Sequence, residues 1–222
     1  MYRLIQNKHM DRKLSMPYLL IGMKRKKVSP VIGRPRAFNV EKALNQAMRV
    51  FWRKGYLGTS LSDLTDAMGI NRPSLYAAFG NKKSLFHKAL AHYAKGPSSY
   101  LSEALQEPTA HAVVECLLHG VVDLLTDPRT PSTCMWVHGA LSCGDDPLRE
   151  EFAAQRAAGL AELRTRFKRA VTDGNLPSDS DADALAHYVQ TVNFGLTVQA
   201  STGATRKELL RVVEVALKTF AK

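Results

Sequence analysis

The sequence predicts an all-α protein in two helical parts behind a basic arm, and three observations carry that prediction. Beyond residue 37 apolar residues recur at helical spacing, cap and stop signals cut the run into helices of ordinary length, and no segment alternates convincingly as a half-buried strand would. With 222 residues and 45% hydrophobic content, the chain can bury one small and one medium core. The expected divisions are an arm over residues 1–36, a small helical domain over 37–95 and a larger one over 96–222.

Residues up to about Pro35 show no sustained periodicity and are punctuated by Pro17, Pro30, Gly33 and Pro35, so they are expected to form a flexible arm. After the capping candidate Asn39, Val40, Ala43, Leu44, Ala47, Val50 and Phe51 share a helical face that ends at Gly55. Ser60-Leu61-Ser62-Asp63 is a capping box, in which a hydroxyl and a carboxylate satisfy each other's free backbone N–H groups. The short helix it opens must stop at Gly69, because Asn71 supplies a new cap and Pro73 is tolerated only in a first turn. A second short helix therefore covers Arg72 to about Phe79. Gly80-Asn81 closes it and caps a longer helix reaching about Lys95, which Gly96-Pro97 ends.

Further helices are expected over Tyr100–Gln106, Thr109–Thr126, Thr133–Cys143, Pro147–Asp173, Asp181–Ser201 and Arg206–Phe220. The apolar stripes Leu185, Tyr188, Val189, Val192, Leu196 and Leu209, Val213, Ala216, Leu217, Phe220 either finish a core or meet a second copy of the chain.

Charge is distributed unevenly. Lys plus Arg less Asp plus Glu is 10 − 1 = +9 over residues 1–36, 9 − 3 = +6 over 37–95 and 12 − 16 = −4 over 96–222, which sums to +11. A front that seeks polyanions and a mildly acidic back point to nucleic acid as the front's partner. Cys116, Cys134 and Cys143 form no C-x-x-C pair or zinc spacing, so reduced thiols in the cytoplasm, no metal and no cofactor are expected. The apolar run Met16–Met23 is too short to span a bilayer and has no cleavage site after it, so neither a targeting segment nor a membrane partner is read. Met10, Met16 and Met23 stand as alternative starts.

Two short helices joined by the tight Met68-Gly69-Ile70 turn, behind a longer supporting helix, have the shape of a helix-turn-helix. Leu75 and Phe79 would pack inward, leaving Arg72, Pro73, Tyr76 and Ala77 outward. Arg72 carries the fork that pairs with guanine, Pro73 and Ala77 can meet a thymine methyl, and Ser74 can reach a base or a phosphate, with the Tyr76 hydroxyl also suited to phosphate. Lys82 and Lys83 stand in the first turn of the following helix, where they oppose the dipole unless a phosphate docks there. Thr59 and Ser60 offer a second phosphate seat. The arm Gly33-Arg34-Pro35-Arg36 either lies in a minor groove through Arg34 and Arg36 or is a disordered tail.

The run Phe51-Trp52-Arg53-Lys54-Gly55-Tyr56-Leu57-Gly58-Thr59-Ser60, followed by Gly69-Ile70-Asn71-Arg72-Pro73-Ser74-Leu75-Tyr76-Ala77-Ala78-Phe79-Gly80-Asn81-Lys82-Lys83-Ser84-Leu85, resembles the signature of the TetR/AcrR family of transcriptional regulators. The match covers residues 38–95, with one departure at Thr65, where alanine is usual and slightly altered helix packing is expected. The resemblance implies three DNA-binding helices, a connecting fourth, and a helical domain that binds a small-molecule effector and dimerises through its last helices. It further implies a non-enzymatic, ligand-released repressor that binds double-stranded operator DNA as a homodimer.

Within 96–222 and the end of the preceding helix, Tyr93, Tyr100, Cys116, His119, Trp136, His138 and Phe194 are aromatic or softly polar residues suited to line such an effector site, although each could be ordinary core. Cys134 and His138 share a helix face with Cys143 just beyond, which leaves a thiol- or metal-sensing variant as the alternative. An enzyme is disfavoured by the absence of a nucleophile elbow, phosphate loop or H-E-x-x-H. A non-specific nucleic-acid binder is the third reading, and it would bind unrelated duplexes equally.

Overall fold

The computed structural model describes residues 38–142 and 148–220, and the boundaries of its helices follow from capping chemistry. In chain order they are α1 (Val40–Lys54), α2 (Leu61–Met68), α3 (Arg72–Phe79), α4 (Lys82–Lys95), α5 (Tyr100–Ala104), α6 (Ala110–Thr126), α7 (Met135–Ser142), α8 (Leu148–Thr172), α9 (Ala182–Ser201) and α10 (Arg206–Lys218). No strand occurs among the described residues. Asn39, Asn71, Asn81 and Thr109 each accept a backbone N–H three residues on, and Asp181 accepts two, so the orphan donors of five helices are met by side chains.

The later helices end or begin slightly inside their expected bounds. The segment after α5 tightens into turns, with Gln106 N–H donating to Glu103 and Glu107 N–H to Ala104, before Pro108 breaks it. Helix α7 starts at Met135 because Cys134 is its first acceptor, receiving the His138 N–H at 2.8 Å. The end of α10 tightens in the same way at Thr219 and Phe220.

Two cores organise the described residues. One collects Val113, Val114, Leu117, Leu118, Val121 and Val122 of α6 with Phe167 of α8, Val189 and Leu196 of α9, and Leu209, Val213 and Ala216 of α10. Both C-terminal stripes serve this core: Leu185, Tyr188, Val192 and Leu217 pack on it half-buried, and the large exposed apolar residues of α9 and α10 are Val198 and Val215 instead.

The other core is built on α1–α4. Phe51 meets Phe86 edge-on at 4.9 Å and Trp52 meets Tyr93 edge-on at 4.8 Å, while Leu64, Leu75, Phe79 and Leu85 fill the space between the helices. This core does not stop at Lys95. Leu124, Met135, Val137, Leu148 and Phe152, contributed by α6, α7 and α8, belong to it. Trp52 donates its indole N–H to the Thr133 carbonyl at 2.6 Å, and His138 Nδ1 meets the Trp52 carbonyl at 3.3 Å. No helix among the described residues is long and apolar enough to cross a membrane.

Candidate nucleic-acid interface

The expected helix-turn-helix is formed by α2, α3 and the turn between them. Ser60 and Asp63 make the reciprocal capping box, and Gly69 sits in the left-handed region at φ 65°, the conformation its missing side chain makes inexpensive. Lys54 pairs with Asp63 at 2.5 Å, and hydrogen bonds from Lys54 and Ser60 hold that carboxyl well below the ordinary aspartate range. Thr65 donates its hydroxyl back to the Leu61 and Ser62 carbonyls, which accommodates a polar residue at the packed position without leaving it unsatisfied.

Helix α3 presents the expected face. Leu75 and Phe79 are buried, Arg72, Pro73, Tyr76 and Ala77 are exposed, and Ser74 lies half-buried at the edge of that face. Tyr76 retains 47% of its surface, so its ring and hydroxyl are accessible to a partner. Arg72 is steadied by the Ser62 hydroxyl of α2, which accepts its Nη2 at 3.2 Å.

The neighbouring positions divide. Ser60 is exposed, whereas Thr59 is 2% exposed and donates its hydroxyl to the Gly55 carbonyl at 2.6 Å. Thr59 is thus a side chain that secures the turn before α2, and its hydroxyl is not presented to a phosphate. Lys82 lies 4.4 Å above the Tyr56 ring, and Lys83 reaches Glu151 of α8 at 2.7 Å. Glu151 also meets His87 Nε2 at 2.8 Å. Partial burial raises the Glu151 pKa, but its hydrogen bonds to Lys83 and His87 outweigh that and hold it below the ordinary glutamate range. Tyr56 enters the sequence reading only within the family signature and Glu151 not at all; a glutamate in a helix's first turn reads as a simple complement to the dipole. Arg34, Arg36 and Cys143 lie outside the described residues.

Of the residues expected near an effector, five border the α1–α4 core. Tyr93 is part of the α1–α4 core, and Tyr100, Trp136 and Phe194 pack against that core half-buried, while His138 binds the Trp52 carbonyl beside them. Cys116 instead packs on the other core, where burial and then the nearby Glu107 and Glu103 push its thiol pKa up. His119 is half-buried on α6. The Tyr100 hydroxyl and the Asn193 amide oxygen are buried without a hydrogen-bond partner. Asn193 lies beside Phe194 on α9, and residue spacing alone does not mark its amide as buried.

The thiol- or metal-sensing alternative is not favoured. Cys134 is 4% exposed, and burial pushes its pKa up, which keeps it a protonated thiol rather than a nucleophilic or ligating thiolate. Its sulfur accepts the Tyr93 hydroxyl at 3.6 Å, and His138 is directed to a backbone carbonyl. Among the described residues no group of three His, Cys, Asp or Glu side chains could hold a metal ion.

Residues 43–89 match the family described as bacterial regulatory proteins, tetR family. The chain is 42% identical over 195 residues to the HTH-type transcriptional repressor BdcR of Escherichia coli K12, spanning 86% of this chain and 93% of that protein. It is 27% identical over 195 residues to the HTH-type transcriptional repressor ComR of the same organism, spanning 85% and 91%. Among solved structures, a cysteine-substituted form of the TetR family transcriptional regulator CifR, complexed with 26-base-pair double-strand operator DNA, shares 42% identity and superposes with a TM-score of 0.78, covering 85% of this chain and 100% of that one. The capped helix pair, the exposed face of α3 and these matches agree: the chain belongs to the TetR family of bacterial regulatory proteins.

Proposed function

We propose that the protein is a sequence-specific transcriptional repressor that binds operator DNA as a homodimer in the cytoplasm and is released by a small-molecule effector. The observation that carries the reading is the exposed face of α3, on which Arg72, Pro73, Tyr76 and Ala77 stand outward over the buried Leu75 and Phe79. In this reading residues 37–95 are the reader and 96–222 the regulatory and dimerising part. Arg72 reads a guanine, and Ser60, Ser74, Tyr76, Lys82 and Lys83 engage bases or phosphates. Matching grooves recur every ~34 Å, so a dimer adds a second reading helix and gains both affinity and specificity. Val198 and Val215, exposed on α9 and α10, are the apolar residues a second copy would cover. The CifR complex with operator DNA supports the reader assignment.

Selection from random duplexes is expected to return a site with two-fold symmetry. Recovery of no such site would sink the reading. Arg72→Ala should weaken binding to that site by ~1–3 kcal/mol and relax discrimination at one position of each half-site, as read by competition titration.

The effector reading rests on Tyr93 and Trp136, whose rings stand 6.4 Å apart, and on Tyr100 and Phe194, which pack on the same α1–α4 core. Tyr100 and Asn193 supply the buried polar atoms that a ligand would satisfy. A thermal-shift screen of small apolar compounds tests it: a compound that stabilises the protein should also release the operator, and Tyr100→Phe should diminish both responses.

A further inference from the structure

We infer that Glu151 of α8 competes with operator phosphate for Lys83 and thereby sets operator affinity from the regulatory half of the chain. This rests on reading the first turn of α4 as a phosphate seat.

Two lysines in a first helical turn oppose the helix dipole, and an anion near them relieves both conflicts. Lys83 already has such an anion: Glu151 Oε1 stands 2.7 Å from its Nζ. Glu151 is held in register by its neighbour, since Phe152 is buried in the α1–α4 core with its ring 6.2 Å from Phe86 of α4. The pair is within reach of an incoming phosphate, because Lys83 is 42% and Glu151 41% exposed. Departure of Lys83 would not strand the carboxylate, since its other oxygen lies 2.8 Å from His87 Nε2. One lysine therefore has two alternative anionic partners, one on the regulatory half of its own chain and one on DNA. A shift of the first turn of α8 relative to α4 changes which of them prevails.

The test is titration of the full-length dimer against the operator recovered by selection, across a salt series. Glu151→Gln should tighten binding by about two- to fivefold per subunit, the range an exposed ion pair allows. It should also steepen the salt dependence by about 0.9 per subunit as Lys83 becomes a full phosphate contact. Lys83→Gln should weaken binding, and the double variant should match Lys83→Gln alone. Glu150→Gln removes the same charge from an adjacent exposed position on α8 and serves as the control. If Glu151→Gln binds like the wild type or more weakly, or if Glu150→Gln produces the same gain, the competition is overturned. Thermal unfolding of each variant separates misfolding from a change in affinity. A wild-type protein that recognises no specific site would instead overturn the repressor reading beneath it.

Discussion

At the scale of single residues, close contacts across helix boundaries decide which substitutions the molecule tolerates. A Cβ added at Gly139 of α7 would lie 2.2 Å from Cζ of Phe152, a ring that cannot swing away freely because Trp136 and Phe86 flank it. Alanine would gain at most about 1 kcal/mol of helix propensity there, against roughly 1–3 kcal/mol for overpacking a filled core. Gly139→Ala is thus expected to lower the urea midpoint at constant m-value. An unchanged or higher midpoint would mean that the ring relaxes without penalty. Thr59 teaches the complementary lesson: a hydroxyl beside the reading face looks like a phosphate ligand in the sequence, but its burial against Gly55 commits it to the fold.

At the scale of elements, the helix-turn-helix depends on a few short-range devices, and these were visible in the sequence because they act over three or four residues. The Ser60–Asp63 box, the Asn71 cap with Pro73 in the first turn, and the inward pair Leu75 and Phe79 all occur where residue spacing placed them. Gly69 is the most exacting of them. Nothing lies within 4 Å of a Cβ added there, so substitution acts through backbone strain alone. Gly69→Ala should cost about 1–2 kcal/mol, and Gly69→Asn less, because asparagine tolerates the left-handed region better. Chemical denaturation of the two variants checks the order, and an alanine variant as stable as asparagine would contradict the strain account. What periodicity could not supply were partners far apart in the chain. The Trp52 bond to the Thr133 carbonyl joins positions 81 apart, and the Lys83–Glu151 pair joins α4 to α8. Nothing in the local spacing pairs these side chains, and only the packing of α7 and α8 brings them together.

At the scale of the whole molecule, the α1–α4 unit is not an independent body. The composition break near Gly96-Pro97 suggests a domain boundary, but the core around α1–α4 crosses it and takes in Met135, Val137, Leu148 and Phe152. Burying one such side chain contributes roughly 1.5–3 kcal/mol, so the four together amount to about 6–12 kcal/mol as an upper bound. That is comparable with the whole stability of an ordinary domain, about 5–15 kcal/mol. A fragment of residues 38–95 would lose them, expose Trp52 and Tyr93, and strip the Trp52 indole of its Thr133 acceptor. It would also be of the size, about 60 residues, at which a core is marginal to begin with. The fragment is therefore expected to show a shallow, non-cooperative melt by circular dichroism, whereas the full chain melts sharply. A fragment with the midpoint and sharpness of the intact protein would refute the shared core.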